Sequence, residues 1–393
     1  MLSVDQARTQ ILEKAHIDLG VERIPLLEAL GRRLAEDIFS PIDVPPADNS
    51  AMDGIAVNSK DCVEGLNQLE LSQRIAAGHA PQPLVPGTAA RIFTGAEVPK
   101  GADAVEIQEN CSFDGTSVRF KGKPSREKNI RKRGQDIGAG SLVLHKGDFV
   151  RSQELGLLAS IGIHQIPVYK KIRVGVLSTG DELAEPGQPL AAGQIYNSNR
   201  YTLGAMIVES GYEFVDLGKI EDKLDVITER LKSASVEVDV LVSSGGVSVG
   251  EEDHIKPAVE ACGSLSLWKI ALKPGKPLAV GEVQGTPFFG LPGNPVSSFA
   301  TFLLFVKPFL AQAAGANPNP LDWFRVPVNF SRNEVSREEY IRVRLVEGQA
   351  ELFPNQSSGV LSSLSWSTGL IRQKIGETID QGSDADYLPF TSF

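Results

Sequence analysis

Three glycine-containing stretches of the sequence also carry acidic or hydroxyl side chains, a combination that could bind a phosphate and a metal ion. They are LSTGDEL (177–183), SSGGVSVGEED (243–253) and GLPGNPVSS (290–298). Glycines let backbone amides approach an anion closely, and the first turn of a helix offers unpaired N–H groups. Carboxylates beside a phosphate suit Mg²⁺, which prefers oxygen ligands. Any one of these stretches is more often a plain turn, but three together favour an anion site.

Two other stretches carry polar side chains that could belong to the same site. KIALKPGKP (269–277) places three lysines around one Pro-Gly turn, and VPPADNSAMDGIAV (44–57) packs Asp, Asn and Ser into a turn. Such lysines suit an oxyanion or a phosphate, with solvated surface lysines as the alternative. The Asp-rich turn has a similar alternative, because Asx side chains often cap local backbone. Thr94 and Gly95, at the end of a predicted strand, repeat the polar pattern.

Several common site patterns do not occur in the sequence. No segment matches GxxxxGK[ST], GxGxxG or GxSxG, which disfavours a P-loop NTPase, an ordinary dinucleotide-binding protein and a hydrolase nucleophile elbow. Cys62, Cys111 and Cys262 are far apart without a CxxC, and the five histidines form no HxxxH or HxH pair. Neither a disulfide framework nor a Cys/His metal site is therefore expected.

The composition indicates a globular protein of several domains. The chain has 393 residues, of which 41% are hydrophobic and 22% charged, and this length predicts two or three domains. Its net charge of −10 argues against a general nucleic-acid partner, and the basic stretch 119–134 is favoured as a solvated hairpin over an RNA or membrane contact. The opening residues lack a signal peptide's apolar core. The apolar run 299–314 is interrupted by Lys307 and Pro308 and is too short to span a bilayer, so we expect a cytoplasmic protein without a membrane partner.

Hydrophobic periodicity divides the chain into regions of different character. Helices are predicted over 3–19 and 24–36, followed by short alternating strands and glycine turns up to about residue 134. From residue 171 apolar strands alternate with helices, which predicts a parallel α/β sheet with right-handed crossovers. Ligands of such sheets bind beyond the carboxyl ends of the strands, where the three glycine-containing stretches lie. Residues 319–393 return to short alternating strands and predict a small β-domain.

Seven motifs, in the same order along the chain, resemble those of the molybdopterin molybdenumtransferases, the MoeA family, which includes the C-terminal domain of gephyrin. They are DNSAMDG, FTGAEVPKGADAV, LSTGDEL, YNSN, SSGGVSVGEED, KPGKP and GLPGNPVSS. The resemblance covers essentially the whole chain. It implies a multidomain α+β and α/β fold with β-rich N-terminal domains, a central parallel α/β molybdopterin-binding domain and a small C-terminal β-barrel-like domain. Four domains are expected: a discontinuous N-terminal helical domain (1–42 and 135–168), a β-rich inserted domain (43–134), the α/β domain (169–318) and the C-terminal β-domain (319–393).

The resemblance also implies an enzyme of molybdenum cofactor biosynthesis. Such an enzyme inserts molybdenum from molybdate into adenylylated molybdopterin and releases AMP, assisted by a divalent cation, Mg²⁺ or Zn²⁺. Members of the family form homodimers whose cleft combines the α/β domain of one subunit with the β-rich part of the other. The expected partners are therefore a second copy of this chain and a molybdopterin adenylyltransferase that supplies the substrate.

Positions that match the family, together with the glycine loops and lysines above, give the expected site residues. The expected catalytic residues are Asp53, Thr94, Glu182, Asp222, Asp253, Lys269 and Lys273. Three of them, Glu182, Asp222 and Asp253, are expected to hold the metal ion. The expected substrate-binding residues are Gly245, Gly246, Ser248, Gly250, Lys276, Pro292, Gly293, Pro295, Ser297 and Ser358. Ile55 stands where the family commonly has Tyr. Ser357 stands where the family commonly has Gly, which leaves open how much the C-terminal domain contributes to the site.

Two alternative functions stay open at this point. One is a molybdopterin adenylyltransferase, because the α/β domain resembles the whole fold of that family, although the long N-terminal portion with DNSAMDG argues against it. The other is a non-catalytic scaffold on the same fold. The retained carboxylates and lysines argue against a scaffold, since a scaffold needs none of them.

Overall fold

The computed structural model describes residues 1–246, 254–275, 277–316 and 321–390. The chain begins with the helix Val4–Leu12, which starts at a capping box formed by Ser3 and Gln6. This helix buries Val4, Ala7 and Ile11 against the central core of the molecule. It is shorter than the helix predicted over 3–19 and ends at Leu12.

Two distant segments fold together into the first lobe. Strand Val21–Pro25 pairs antiparallel with Gln165–Tyr169, and Ile38–Phe39 pairs with Leu142–Leu144. The helix Ser152–Ser160 contributes Leu158 to the apolar cluster between these strands. The pairing supports the discontinuous first domain, whose boundaries remain a prediction.

The prediction of a helix over 24–36 is wrong. The structure has only a 3₁₀ turn there, at Leu26–Glu28. Ile24 instead pairs with Ile166, and Leu34 bridges to Val168, so the backbone bonds to a segment far away in the sequence. Gly31, with φ of +76°, also leaves the helical region. Long-range pairing has overridden the helical propensity of the segment.

A β-rich unit is inserted between these two segments. Its six-stranded sheet has, in spatial order, the strands Ala104–Ile107, Gly54–Val57, Ala89–Ile92, Leu66–Ile75, Ser117–Lys121 and Cys111–Phe113. The short strands Asn49–Ser50 and Ile130–Arg131 pair beside it, and 3₁₀ turns lie at Ser59–Asp61 and Gln108–Asn110. The unit therefore matches the predicted run of short strands and turns.

The central unit is an α/β sheet of six strands. Their order is Glu213–Ile220, Arg173–Thr179, Val240–Ser244, Thr286–Leu291, Pro277–Val283 and Gly263–Lys269. The first four strands are parallel, as predicted. Pro277–Val283 pairs antiparallel with both of its neighbours, Thr286–Leu291 and Gly263–Lys269, which the sequence did not indicate. The helices of this unit are Ser198–Glu209, Leu224–Glu237, Ile255–Cys262 and Pro295–Ala313, and the short strands Leu183–Ala184 and Ile195–Tyr196 pair beside the sheet. Asn197 caps the first of these helices by accepting from the Arg200 amide.

The helix Pro295–Ala313 runs through the core. By length and composition it could cross a membrane, but 72% of its most apolar window is buried inside the protein, a property it shares with core helices. The interruption expected at Lys307 and Pro308 does not end it, since a π-helical stretch, Phe302–Val306, leads directly into Lys307–Ala313. Its burial is that of a packed internal helix.

The last unit is a third six-stranded sheet. Its strands are Leu272–Lys273, Phe324–Pro327, Glu338–Val346, Gln349–Leu352, Gly369–Gln373 and Asp384–Pro389, with one short helix at Ser362–Trp366. Leu272–Lys273, which leaves the α/β unit, pairs in parallel with Glu338 and Glu339 and so joins the two units. Together these units confirm the predicted multidomain α+β and α/β fold.

Candidate functional site

A large open cavity lies at the carboxyl ends of the parallel strands. Its volume is about 1280 Å³, and loops of both the α/β sheet and the C-terminal sheet line it. This is the position expected for a ligand of an open α/β sheet. Ten of the predicted site residues line it: Glu182, Asp222, Gly245, Gly246, Lys273, Pro292, Gly293, Pro295, Ser297 and Ser358.

Glycines make the loops at the base of the cavity fit together. Gly245 and Gly246 follow the strand Val240–Ser244 and have φ values of +88° and +70°. A Cβ on Gly246 would lie 2.4 Å from Ile255 Cγ1, and one on Gly293 would lie 3.8 Å from the Gly245 Cα. The turn after the strand thus needs glycine at both positions for its backbone conformation, and at Gly246 also for close contact, whereas an added Cβ at Gly293 would make only an ordinary contact.

Asn199, a residue not selected from the sequence, connects two of the three glycine-containing stretches to the helix Ser198–Glu209. Its Nδ2 donates to Ser244 Oγ at 2.8 Å and to the Gly293 carbonyl at 2.7 Å. The side chain is buried and belongs to the first turn of helix Ser198–Glu209. The motif YNSN contains this residue, so the motif was the signal that could have identified it.

One wall of the cavity is acidic. Glu182 and Asp222 line it, together with Asp181, which the sequence analysis did not select. Within the described parts of the chain, no group of three or more His, Cys, Asp or Glu side chains could hold a metal ion. The third predicted ligand, Asp253, lies outside the described residues, as do Ser248, Gly250 and Lys276. The carboxylate oxygens present are the donor type that Mg²⁺ prefers.

The opposite wall carries basic side chains. Lys273 Nζ pairs with Glu339 Oε1 at 2.7 Å, and Arg337, another residue that sequence reasoning missed, lines the cavity beside it. Arg332 forms a second ion pair with the same glutamate. Lys269 does not line the cavity, and its carbonyl instead accepts from the amide of Leu2. Lys273 and Arg337 thus bring two cations to the cavity lining, which suits an oxyanion ligand.

A loop of the C-terminal sheet also lines the cavity. Gln356, Ser357, Ser358 and Gly359 line it, and the Ser358 carbonyl accepts from the Val296 amide at 3.1 Å. That hydrogen bond fixes the loop at the start of helix Pro295–Ala313. The C-terminal unit therefore does contribute to the cavity, including through Ser357.

Asp53 and Thr94 form a separate pair outside this cavity. The Thr94 amide and hydroxyl donate to Asp53 Oδ1 at 2.7 and 2.8 Å. The two hydrogen bonds, from the Thr94 amide first and then from its hydroxyl, lower the pKa of Asp53. Ile55, on the adjacent strand, is completely buried in the apolar cluster of this sheet.

Family models match the chain from end to end. Residues 2–162 match the MoeA N-terminal region (domains I and II), and residues 175–312 match a probable molybdopterin binding domain. Residues 326–390 match the MoeA C-terminal region (domain IV). The three models therefore follow one another in the order that the sequence motifs indicated.

Individual relatives agree with these models. The chain is 44% identical to a molybdopterin molybdenumtransferase of Haemophilus influenzae, over 80% of this chain and 78% of that one. It is 36% identical to a molybdopterin molybdenumtransferase of Nostoc sp., over 95% and 90% of the two chains. Among solved structures, a molybdopterin biosynthesis moeA protein of Pyrococcus horikoshii superposes with a TM-score of 0.87 at 30% identity, over 99% of this chain and 100% of that one.

Proposed function

Because the chain belongs to the MoeA family, we propose that it is a molybdopterin molybdenumtransferase of molybdenum cofactor biosynthesis. It inserts molybdenum from molybdate into adenylylated molybdopterin, and AMP is released. The observation that carries this proposal is the match of family regions from residue 2 to residue 390, with one cavity lined by loops of the last two regions.

The residues around the cavity divide this chemistry between them. Lys273 and Arg337 neutralise the oxygens of molybdate and phosphate, while the amides at Gly245 and Gly246 approach the substrate closely. Glu182 and Asp222, with Asp253, would hold Mg²⁺ or, as the alternative, Zn²⁺. When bound, the cation would offset the phosphate charge and polarise the bond that is cleaved.

One assay tests the function. Purified protein is given adenylylated molybdopterin, molybdate and Mg²⁺, and both AMP and active cofactor are measured. Molybdate-dependent AMP release is the expected result. Formation of adenylylated molybdopterin from ATP and molybdopterin would instead identify an adenylyltransferase, and no turnover would favour a non-catalytic scaffold. The adenylyltransferase is not favoured, because regions matching the MoeA N and C termini flank the α/β region.

We also propose a homodimer with a composite site. Large apolar side chains are exposed on the first lobe, namely Leu27 at 90%, Leu30 at 62% and Phe39 at 54%, as expected for a surface that a partner covers. Asp53 and Thr94 lie outside the cavity of their own chain, so they are available to a second copy. The further expectations are a cytoplasmic protein that receives substrate from a molybdopterin adenylyltransferase and binds neither nucleic acid nor membrane.

A further inference from the structure

Arg342 is buried directly behind the loop at residues 355–359, most of which lines the cavity. It lies on strand Glu338–Val346, and only 1% of it is exposed. Its Nη2 donates to the carbonyls of Asn355 and Ser357, at 3.3 and 3.0 Å. Its Nε donates to Ser363 Oγ at 3.1 Å. The guanidinium therefore holds the first half of the loop, at Asn355 and Ser357, and joins it to the helix that follows at Ser363.

The backbone of Arg342 makes a second connection to the same loop. Its amide donates to Gln356 Oε1 at 3.0 Å, and its carbonyl accepts from Gln356 Nε2, also at 3.0 Å. Gln356 in turn lines the cavity. The loop residue between the two bonded carbonyls is thus itself fixed to the strand.

The charge of Arg342 is not neutralised by a direct ion pair with any carboxylate of the described residues. Glu339 is the carboxylate whose charge favours the charged form of Arg342, but its ion pairs are with Lys273 and Arg332. Burial, and next the neighbouring Arg332, lower the pKa of Arg342 to about 10, so it is still a cation at neutral pH. A buried cation held only by carbonyls and a hydroxyl costs free energy of desolvation. Such a placement therefore calls for a role beyond packing.

We propose that Arg342 is a positioning residue that fixes the loop at residues 355–359 for binding of the anionic substrate. The inference rests on the proposed function, because the anions in question are molybdate and the phosphate of adenylylated molybdopterin. Arg342 does not touch the substrate; it holds Ser357 and Gln356, which line the cavity, and it adds positive potential behind them.

The test uses three variants of the full-length protein. Arg342→Lys keeps the charge but loses the planar fork that reaches three acceptors. Arg344→Lys is the matched control on the same strand, since Arg344 bonds to Glu351 and stacks on Trp366. Val343→Ala, between them, removes buried apolar volume and serves as a destabilised control with no contact to the loop through its side chain.

In Arg342→Lys we expect the KM for molybdate to rise about tenfold, the size expected when one or two charge-assisted hydrogen bonds are lost. The value of kcat should change less than KM. Hydrogen exchange of a peptide covering residues 354–361 should become faster. Arg344→Lys should change neither quantity, and Val343→Ala should lower the melting temperature without changing KM.

An unchanged KM or unchanged exchange in Arg342→Lys would overturn the inference, as would an equal rise of KM in Val343→Ala. Absence of turnover in the wild-type protein would instead overturn the proposed function. Hydrogen exchange then still decides on Arg342, because it needs no substrate: faster exchange in Arg342→Lys alone supports the positioning, and equal exchange rejects it.

Discussion

The pair Asp53 and Thr94 illustrates how one residue sets the ionisation of another. Two donors from Thr94 hold a single carboxylate oxygen, and they stabilise the charged form of Asp53. Because the pKa in the folded protein is lowered, the resulting stability is present above the ordinary value of 3.8 and is lost as the pH falls through the lowered pKa. Both residues are among the expected catalytic ones.

Thr94→Val should therefore raise the pKa of Asp53, since it removes the hydroxyl donor and leaves the amide. The free energy of unfolding of the variant should fall below that of wild type at pH 7, and the two should converge at a pH below the lowered pKa of Asp53, where its carboxyl is protonated in both proteins. Urea denaturation at the two pH values measures this difference. Thr94→Ser keeps the hydroxyl and should behave as wild type; a pH-independent loss in Thr94→Val would contradict the explanation.

A second prediction at this scale concerns the acidic run at 251–253. Asp253→Ala should abolish or severely reduce molybdate-dependent AMP release while the circular dichroism spectrum stays unchanged, because one of the three expected metal ligands is lost. Glu251→Ala, at a residue with no expected role, is the matched control. Removal of Mg²⁺ by a chelator should mimic the loss in wild type and be reversed by added Mg²⁺. Near-wild-type turnover of Asp253→Ala would reject the metal-site assignment.

The burial of a single residue, Arg342, also shows what could not be predicted from the sequence. The strand EYIRVRLVE alternates, and Arg342 falls on the same face as Arg344, the face that a polar pattern would assign to solvent. Arg342 is nevertheless buried, because a loop from residues 355–359 folds over that face. Local alternation contains no information about a covering loop, so this arginine could not have been selected from its own segment.

At the scale of elements, the cavity depends on how sharply the chain turns after strand Val240–Ser244. Gly246 has φ of +70°, and an added Cβ would meet Ile255 Cγ1 at 2.4 Å and Thr179 Oγ1 at 2.9 Å. Position 246 therefore requires glycine for two reasons: the backbone conformation of the turn, and the lack of space beside the helix Ile255–Cys262.

Gly246→Ala should lower the free energy of unfolding by more than about 1 kcal/mol and raise the KM for adenylylated molybdopterin. Gly218→Ala provides the control, since Gly218 has φ of +77° but no atom within 4 Å of an added Cβ. Chemical denaturation and steady-state kinetics on both variants separate backbone strain from the clash. Equal effects in the two variants would mean that the contact with Ile255 is unimportant.

Elements with a strong local pattern were predictable, and elements made by distant pairing were not. The helix Ser198–Glu209 and the four parallel strands follow from capping and apolar runs within their own segments. The segment 24–36 has helix-forming residues as well, yet it bonds to residues 165–168. The strand Gly263–Lys269, which pairs antiparallel with Pro277–Val283, was missed for the same reason, since neither segment by itself indicates this pairing.

At the scale of the whole molecule, we propose that the active site is built from two chains. Ten of the predicted residues line one cavity, whereas Asp53 and Thr94 lie elsewhere on the β-rich unit. A symmetric dimer could bring the β-rich unit of one copy to the cavity of the other. Each dimer would then hold two sites, and each site would draw residues from both copies.

Mixing two inactive variants tests this arrangement. Asp53→Asn and Asp222→Asn should each be inactive, but refolding them together should give heterodimers in which one of the two sites has both native residues. Random pairing predicts about a quarter of wild-type activity, because about half of the dimers would be mixed and each would hold one intact site. AMP release after co-refolding measures the recovery, and an equal mixture that was never unfolded is the control. No recovery would place Asp53 at the site of its own chain.

The central core has a consequence for how the protein is made. Val4 and Ala7 of the first helix share one apolar cluster with Leu370 and Leu388. A ribosome adds residues in order, so this cluster cannot close until residue 388 has left the exit tunnel. The β-rich unit can fold while synthesis continues, because its strands lie between residues 49 and 131. The first helix must wait, with its apolar face exposed to chaperones, at least for the helix Pro295–Ala313, against which it packs and whose Gln312 donates to the Leu12 carbonyl.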